Sequence, residues 1–200
     1  MTEKIIFTLH LINQDFFTAF GLFTILYLFL SIFIKKEILH QIDEEANKFI
    51  SFIGILFLII WIIGIVVEFN ILNEEDKISM LNRIFGKYWF GFWIQPLLWI
   101  AITQLLRFKK IRKNILLRLL FSLLLILSIE KIVIISTAFH RDYLPSSWTM
   151  YNELDIYPSN FILLILLKIF IFLIFVGIFR FVSDRIKNLK FKNKTKQIIK

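Results

Sequence analysis

Five stretches of this chain are long and apolar enough to cross a lipid bilayer, and most of its charges lie between them. They run over residues 16–34 (Phe16 to Ile34), 49–69 (Phe49 to Phe69), 88–106 (Tyr88 to Leu106), 115–139 (Ile115 to Phe139) and 161–182 (Phe161 to Val182). A helix needs about 20 mostly apolar residues to cover a hydrocarbon core of about 30 Å. Backbone groups in lipid must be bonded internally, so each run is predicted as a helix. None alternates apolar and polar residues as a barrel strand would. The 200 residues are 58% hydrophobic and 20% charged, with mean hydropathy +0.75. Such a composition argues against both an ordinary soluble domain and a disordered chain.

The fold expected is an all-α membrane protein, a five-span transmembrane helix bundle in one domain over residues 1–182. A basic tail follows over 183–200, expected to be solvated, partly disordered and resting against anionic lipid. The first run, of about 19 residues, exceeds the 7–15 of a secretory core segment. It ends at Lys35-Lys36 without a small-residue cleavage site, so it is expected to be retained.

Basic residues set the orientation. Fifteen lysines and arginines fall in the segments 35–48, 107–113 and 185–200, against five (Lys4, Lys77, Arg83, Lys87, Arg141) in the alternate segments. The positive-inside rule then places the N-terminus outside and the C-terminus in the cytoplasm. Tyr88, Trp89, Trp148, Tyr151 and Tyr157 fall at the expected outer interface, where aromatic belts sit.

Ionisable side chains inside a bilayer cost about 2.5–3.5 kcal/mol each on insertion scales, so they usually face the bundle and have a partner. Glu130 is expected roughly 15 Å below the outer surface and Lys168 roughly 12 Å below it, on consecutive antiparallel helices. The two are therefore expected to meet. Lys131 points about 100° away from Glu130 and must find another partner or snorkel. Glu130 reads either as half of a structural ion pair or as a protonatable relay. Glu68 ends the second span and reads either as a functional carboxylate or as one reaching water. Arg118 and Arg180, near the inner ends, are expected to snorkel. Gln95-Pro96 and Gln104 lie in the third span, where a proline frees a carbonyl and amides bond across helices.

Several chemistries lack their residues. With no cysteine, the chain cannot form disulfides, thiolate-bound zinc, a cysteine nucleophile or its own iron–sulphur cluster. His10, His40 and His140 lie at or beyond span ends, and Met80 and Met150 are interfacial, so no facing pair of haem ligands is expected. No phosphate loop, metal-ligand helix or nucleophile elbow occurs, and no nucleic-acid module accompanies the net charge of +9. No cofactor, metal or catalytic residue is assigned.

The segment from His140 through Arg141, Asp142, Tyr143, Leu144, Pro145, Ser146 and Ser147 to Trp148 differs from the other connections. Pro145-Ser146-Ser147 reads either as part of an ordinary re-entry loop or as the start of a short interfacial helix, with Trp148 as its anchor. Together with Ser128 to Phe139 before it, this run resembles a signature of the NrfD-like, or polysulphide-reductase-like, membrane subunits. The likeness is closest to the quinol-oxidising membrane subunit of alternative complex III. Glu68-Phe69, Tyr88-Trp89, Gln104-Leu105-Leu106 and Phe108-Lys109-Lys110-Ile111-Arg112 resemble the family in the same order. The likeness covers roughly residues 50–182.

That resemblance implies the C-terminal half of a two-halved subunit of a quinone-linked respiratory complex in a bacterial inner membrane. It implies iron–sulphur and haem subunits as partners beside membrane lipids. The family's quinol pocket belongs to the other half, so direct quinol oxidation is not expected of this chain. Glu68, Glu130, Lys131, His140, Arg141 and Asp142 match family-like polar positions that conduct protons or fix the bundle. Lys131 stands where the family usually has arginine, and an expected asparagine in the third span is replaced around Gln95-Pro96. Lysine keeps the charge but loses the planar fork. The expected function is support of quinone-linked electron transfer and proton conduction. The alternative is a non-catalytic structural or assembly protein of the inner membrane.

Overall fold

The computed structural model describes residues 2–34, 36–128, 132 and 160–198, and all regular structure among them is helical. Helix α1 (Thr2–Leu11) passes through a π-helical turn (Ile12–Phe17) into α2 (Thr18–Phe33), making one rod of 32 residues. Helix α3 (Glu37–Ile71) has 35 residues. At 1.5 Å per residue these rods are about 48 and 52 Å long, well beyond a hydrocarbon core of about 30 Å. The helices therefore begin at Thr2 and Glu37 rather than at Phe16 and Phe49, where the apolar runs start. Hydropathy marks the part of a helix that lipid requires to be apolar, not the whole helix. Ahead of Phe49, α3 is held by Lys48 bridging Glu45 at 2.7 Å and Glu44 at 3.7 Å, neighbours one turn apart.

Helix α4 (Glu74–Phe85) occupies what reads in sequence as a polar loop. The Asn73 side chain caps it by accepting from the Asp76 amide at 2.8 Å, and Glu74, Glu75 and Asp76 lie in the first turn. Its Met80 and Ile84 are buried, and Trp93 Nε1 donates to the Ile84 carbonyl at 2.9 Å. Helix α5 (Trp89–Leu105) continues through the buried Pro96. The five-residue α6 (Lys109–Lys113) leads to α7 (Ile115–Ile126), capped by the Asn114 side chain at the Leu117 amide. Helix α8 (Phe161–Ile198) does not stop at Val182. The backbone expected to be partly disordered is helical to Ile198. Asp184 lies between Arg180, at 4.0 Å, and Lys187, at 3.6 Å, so the polar turn after the apolar run carries its own helix-compatible pairs.

Among the described residues three helices are long and apolar enough to cross a membrane: Thr2–Phe33, Glu37–Ile71 and Ile162–Asn188. They pack through an aromatic core. Phe20 lies 6.0 Å from Phe172, Phe49 lies 5.7 Å from Phe172, and Trp99 lies 5.7 Å from both Phe17 and Phe57. Such ring pairs contribute about 0.5–1.5 kcal/mol each beyond area burial. Small residues let backbones approach, as in membrane interfaces generally. Gly21 of α2 lies against the Ser122 carbonyl of α7, and Gly54 of α3 against Thr103 of α5. Ser51 donates to the Thr103 carbonyl at 2.9 Å, and Gln104 donates back to the Ser51 carbonyl at 2.9 Å.

Polarity is distributed as a bilayer requires. Phe29, Ile32, Ile62, Phe170 and Phe181 are exposed, whereas Thr24, Asp43, Asn47, Arg118 and Lys168 are buried. A multi-pass membrane bundle accounts for both halves of that pattern.

Candidate functional site

The buried charges of the described bundle gather at two places. The first lies at its basic end, where α2 finishes and α3, α6 and α7 begin. Arg118, in the first turn of α7, is 3% exposed, and Asp43, in the second turn of α3, is 2% exposed. Arg118 Nη2 donates to Asp43 Oδ1. The guanidinium also lies over the Tyr27 ring of α2, 4.6 Å from its centroid. Asn47, one turn beyond Asp43, donates to the Asp43 carbonyl at 2.7 Å and to Oδ1 at 3.2 Å. Tyr27 Oη lies 3.5 Å from His40 Nδ1. Three helices are thereby tied by one arginine.

This corrects the expectation that Arg118 snorkels to the surface. Snorkelling is the answer for a cation without a partner at depth. Asp43 supplies that partner because α3 starts at Glu37 and brings Asp43 onto its inner face. The signal was present in sequence: Asp43, Asn47, Ser51 and Gly54 recur at helical spacing and continue a small-polar stripe past the end of the apolar run. Arg180 is exposed, as expected.

A cavity of about 730 Å³ opens on this cluster. Tyr27, His40, Asp43 and Arg118 line it, together with the cations of α6 and apolar side chains of α2 and α7. A second cavity, of about 480 Å³, lies on the other flank of α3 and shares Glu44, Lys109 and Arg112 with the first.

The second place is at the π-helical turn. Asp15 stands in that turn, and Lys168 of α8 puts its Nζ 3.7 Å from Asp15 Oδ1. The Lys168 side chain is 4% exposed and that of Asp15 20%. A π turn inserts an extra residue into the helical register, and such turns recur at functional sites. Here it sets Asp15 on the side that faces α8. A cavity of about 150 Å³ beside the pair is otherwise lined by apolar and aromatic groups.

The sequence-derived candidates divide accordingly. Lys168 is buried and faces a carboxylate, as its depth demands. The described carboxylate is Asp15, which sequence reading did not single out because the apolar run begins one residue later. Glu68 is exposed in the last turn of α3 and reaches outward. Gln104 bonds across helices as expected. Glu130, Lys131, His140, Arg141 and Asp142 lie outside the described residues, as do Trp148 and the short helix expected near it. Among the described residues no three His, Asp or Glu side chains cluster as a metal site.

Chemically, a carboxylate held by an arginine and an amide, with a tyrosine ring against the guanidinium, is an ion pair that locks helices at depth. A carboxylate–lysine pair beside a small cavity is closer to what proton relays use. No protein-family model matches the sequence, and no curated protein or solved structure matches it.

Proposed function

We propose that the chain is a five-span subunit of a quinone-linked electron-transfer complex in a bacterial inner membrane. Its N-terminus is outside and its C-terminus in the cytoplasm. It binds no cofactor of its own and supplies helices, and part of a proton path, to a complex whose iron–sulphur and haem subunits carry the electrons. The observation that carries this reading is the Asp15–Lys168 pair at the π turn, an ionisable pair set in the apolar bundle. The respiratory assignment itself rests on the resemblance over residues 50–182. In this reading Glu130 relays protons, Lys131 and Lys168 bias its charge state, Glu68 with His140 forms the outer exit, and Arg141 and Asp142 are polar positions of the path or the bundle. Opposite charge favours an ionised carboxylate and burial disfavours it, and a relay needs the two in balance.

The test is a tagged pull-down from native membranes in mild detergent, with mass spectrometry and a visible spectrum of the eluate. Co-purification of iron–sulphur and haem subunits is the expected result. A colourless eluate without partners, from a preparation in which known complexes stay intact, defeats the respiratory reading. With the complex in hand, Glu130→Gln should slow quinol-dependent proton release. Unchanged turnover and proton release would remove Glu130 from the path.

The second reading is a structural or assembly protein, and the Asp43–Arg118 cluster favours it. That pair is enclosed and held by an amide and a ring, an arrangement that fixes helix positions. The partner-free eluate is the result expected for this reading.

A further inference from the structure

We propose that the cavity at the basic end holds one anionic, phosphate-bearing lipid, with its headgroup on Lys109, Arg112 and Lys113 and its chains along α2 and α7. The proposal is independent of the respiratory reading and needs only that the bundle sits in a membrane.

Charge comes first. The cavity is lined by Lys109, Arg112, Lys113 and Arg118, with Asp43 and Glu44 as its carboxylates. Asp43 is engaged by Arg118, and Glu44 lies 3.7 Å from Lys48. Lys109, Arg112 and Lys113 have no carboxylate partner among the described residues. Three cations within five residues therefore face one cavity with no ion-pair partner among the described residues.

Hydrogen bonding gives an independent sign. The Nε atoms of Arg112 and Arg118 are buried and have no hydrogen-bond partner among the described residues. Both arginines line the cavity, and Arg118 is 3% exposed. A buried donor left unpaired costs about 1–3 kcal/mol, more when charged. A phosphate brings several acceptor oxygens and matches guanidinium geometry.

Shape and position select a lipid over a free anion. At about 730 Å³ the cavity exceeds what a phosphate group alone would fill, and its volume falls in the range of ligand pockets. Its walls below the cations are Leu28, Phe29, Ile32, Ile115 and Leu119, and Ile32 and Ile115 are more than half exposed. The cations sit where the apolar helices end and the connections begin, the level of a headgroup layer. Basic pockets between helices on the cytoplasmic side are suited to anionic headgroups.

The experiment uses the full-length protein in a neutral detergent. Its thermal unfolding is followed with added phosphatidylglycerol, phosphatidylcholine or inorganic phosphate. Phosphatidylglycerol is expected to raise the midpoint and the other two to leave it in place. The triple variant Lys109→Gln/Arg112→Gln/Lys113→Gln is expected to bind phosphatidylglycerol roughly a hundredfold more weakly, at about fivefold per cation. The control triple Arg180→Gln/Arg185→Gln/Lys187→Gln removes the same charge from α8 and is expected to bind normally. No preference for phosphatidylglycerol, an equal effect of inorganic phosphate, or equal losses in both triples would each overturn the proposal. Should the first triple fail to fold, a photoreactive phosphatidylglycerol on the wild-type protein decides. Adducts in the peptide spanning 109–119 support the site, and adducts only elsewhere overturn it.

Discussion

Arg118 can stay buried only while Asp43 stays beside it. Taking either charge away leaves the other enclosed and unpaired, which costs about 3–5 kcal/mol. Replacing both by apolar groups of similar volume removes the desolvation penalty together with the attraction. Arg118→Met and Asp43→Leu alone should therefore lower unfolding stability strongly, and the double variant should recover most of the loss. Chemical unfolding in detergent micelles checks this, with the coupling read from the double-mutant cycle. Additive losses would mean that the two side chains act separately. Tyr27→Phe is a finer probe, because it keeps the ring under the guanidinium and removes only the hydroxyl facing His40. A change within about 1 kcal/mol is expected, the scale of one net hydrogen bond. At this scale the sequence was legible only in part. Lys168 announced its need for a partner by lying mid-run, whereas Asp43 lay among Glu44, Glu45 and Lys48 and looked like one more solvated charge.

Helix pairs here approach through individual glycines, and that makes their contribution separable. A methyl group added at Gly21 would meet Ile126 Cγ1 at 2.6 Å and the Ser122 carbonyl oxygen at 2.8 Å. The isoleucine can turn aside, but the carbonyl belongs to the α7 backbone and cannot move without the helix. Gly21→Ala should therefore destabilise by about 1–3 kcal/mol, the range for overpacked cores. At Gly177 nothing lies within 4 Å, so alanine there should be neutral or stabilise by up to about 1 kcal/mol through helix propensity. Thermal unfolding of the two variants side by side makes the comparison. Equal effects would mean that α2 and α7 do not touch at Gly21. Helix ends were the least legible feature of the elements. Asn73, followed by three acidic residues and then Met80 and Ile84 one turn apart, carries the marks of a capped amphipathic helix. Composition alone made it a polar loop. The α3 rod outran its apolar segment because the pairs of Lys48 with Glu44 and Glu45, not lipid, support the turns ahead of Phe49.

For the whole molecule, the apolar runs and their order were legible because bilayer thickness imposes one length on every crossing. How many times the chain crosses depends on α5 and α7, which have 17 and 12 residues. If α5 crosses, Lys77 in α4 and Lys110 in α6 lie on opposite sides of the membrane. If it does not, they lie on the same side. The chain has no cysteine, so single cysteines introduced at Glu3, Lys77, Lys110 and Lys187 report without background. All four positions are outside the aromatic core, and three of them are exposed, with Lys77 half-buried. With the N-terminus outside, an impermeant thiol reagent applied to intact spheroplasts should label positions 3 and 77 and spare 110 and 187 until the membrane is opened. Labelling at 110 together with 77 would mean that α5 lies along the surface and that the cavity of Lys109, Arg112 and Lys113 faces the outer leaflet. Labelling at 187 without 110 would mean an odd number of crossings between α6 and the end of α8 in place of two, and would move the basic tail outside. The protected pattern at 110 and 187 is the one that puts the α6 cations and the end of α8 on the same, cytoplasmic side, where anionic lipid attracts both.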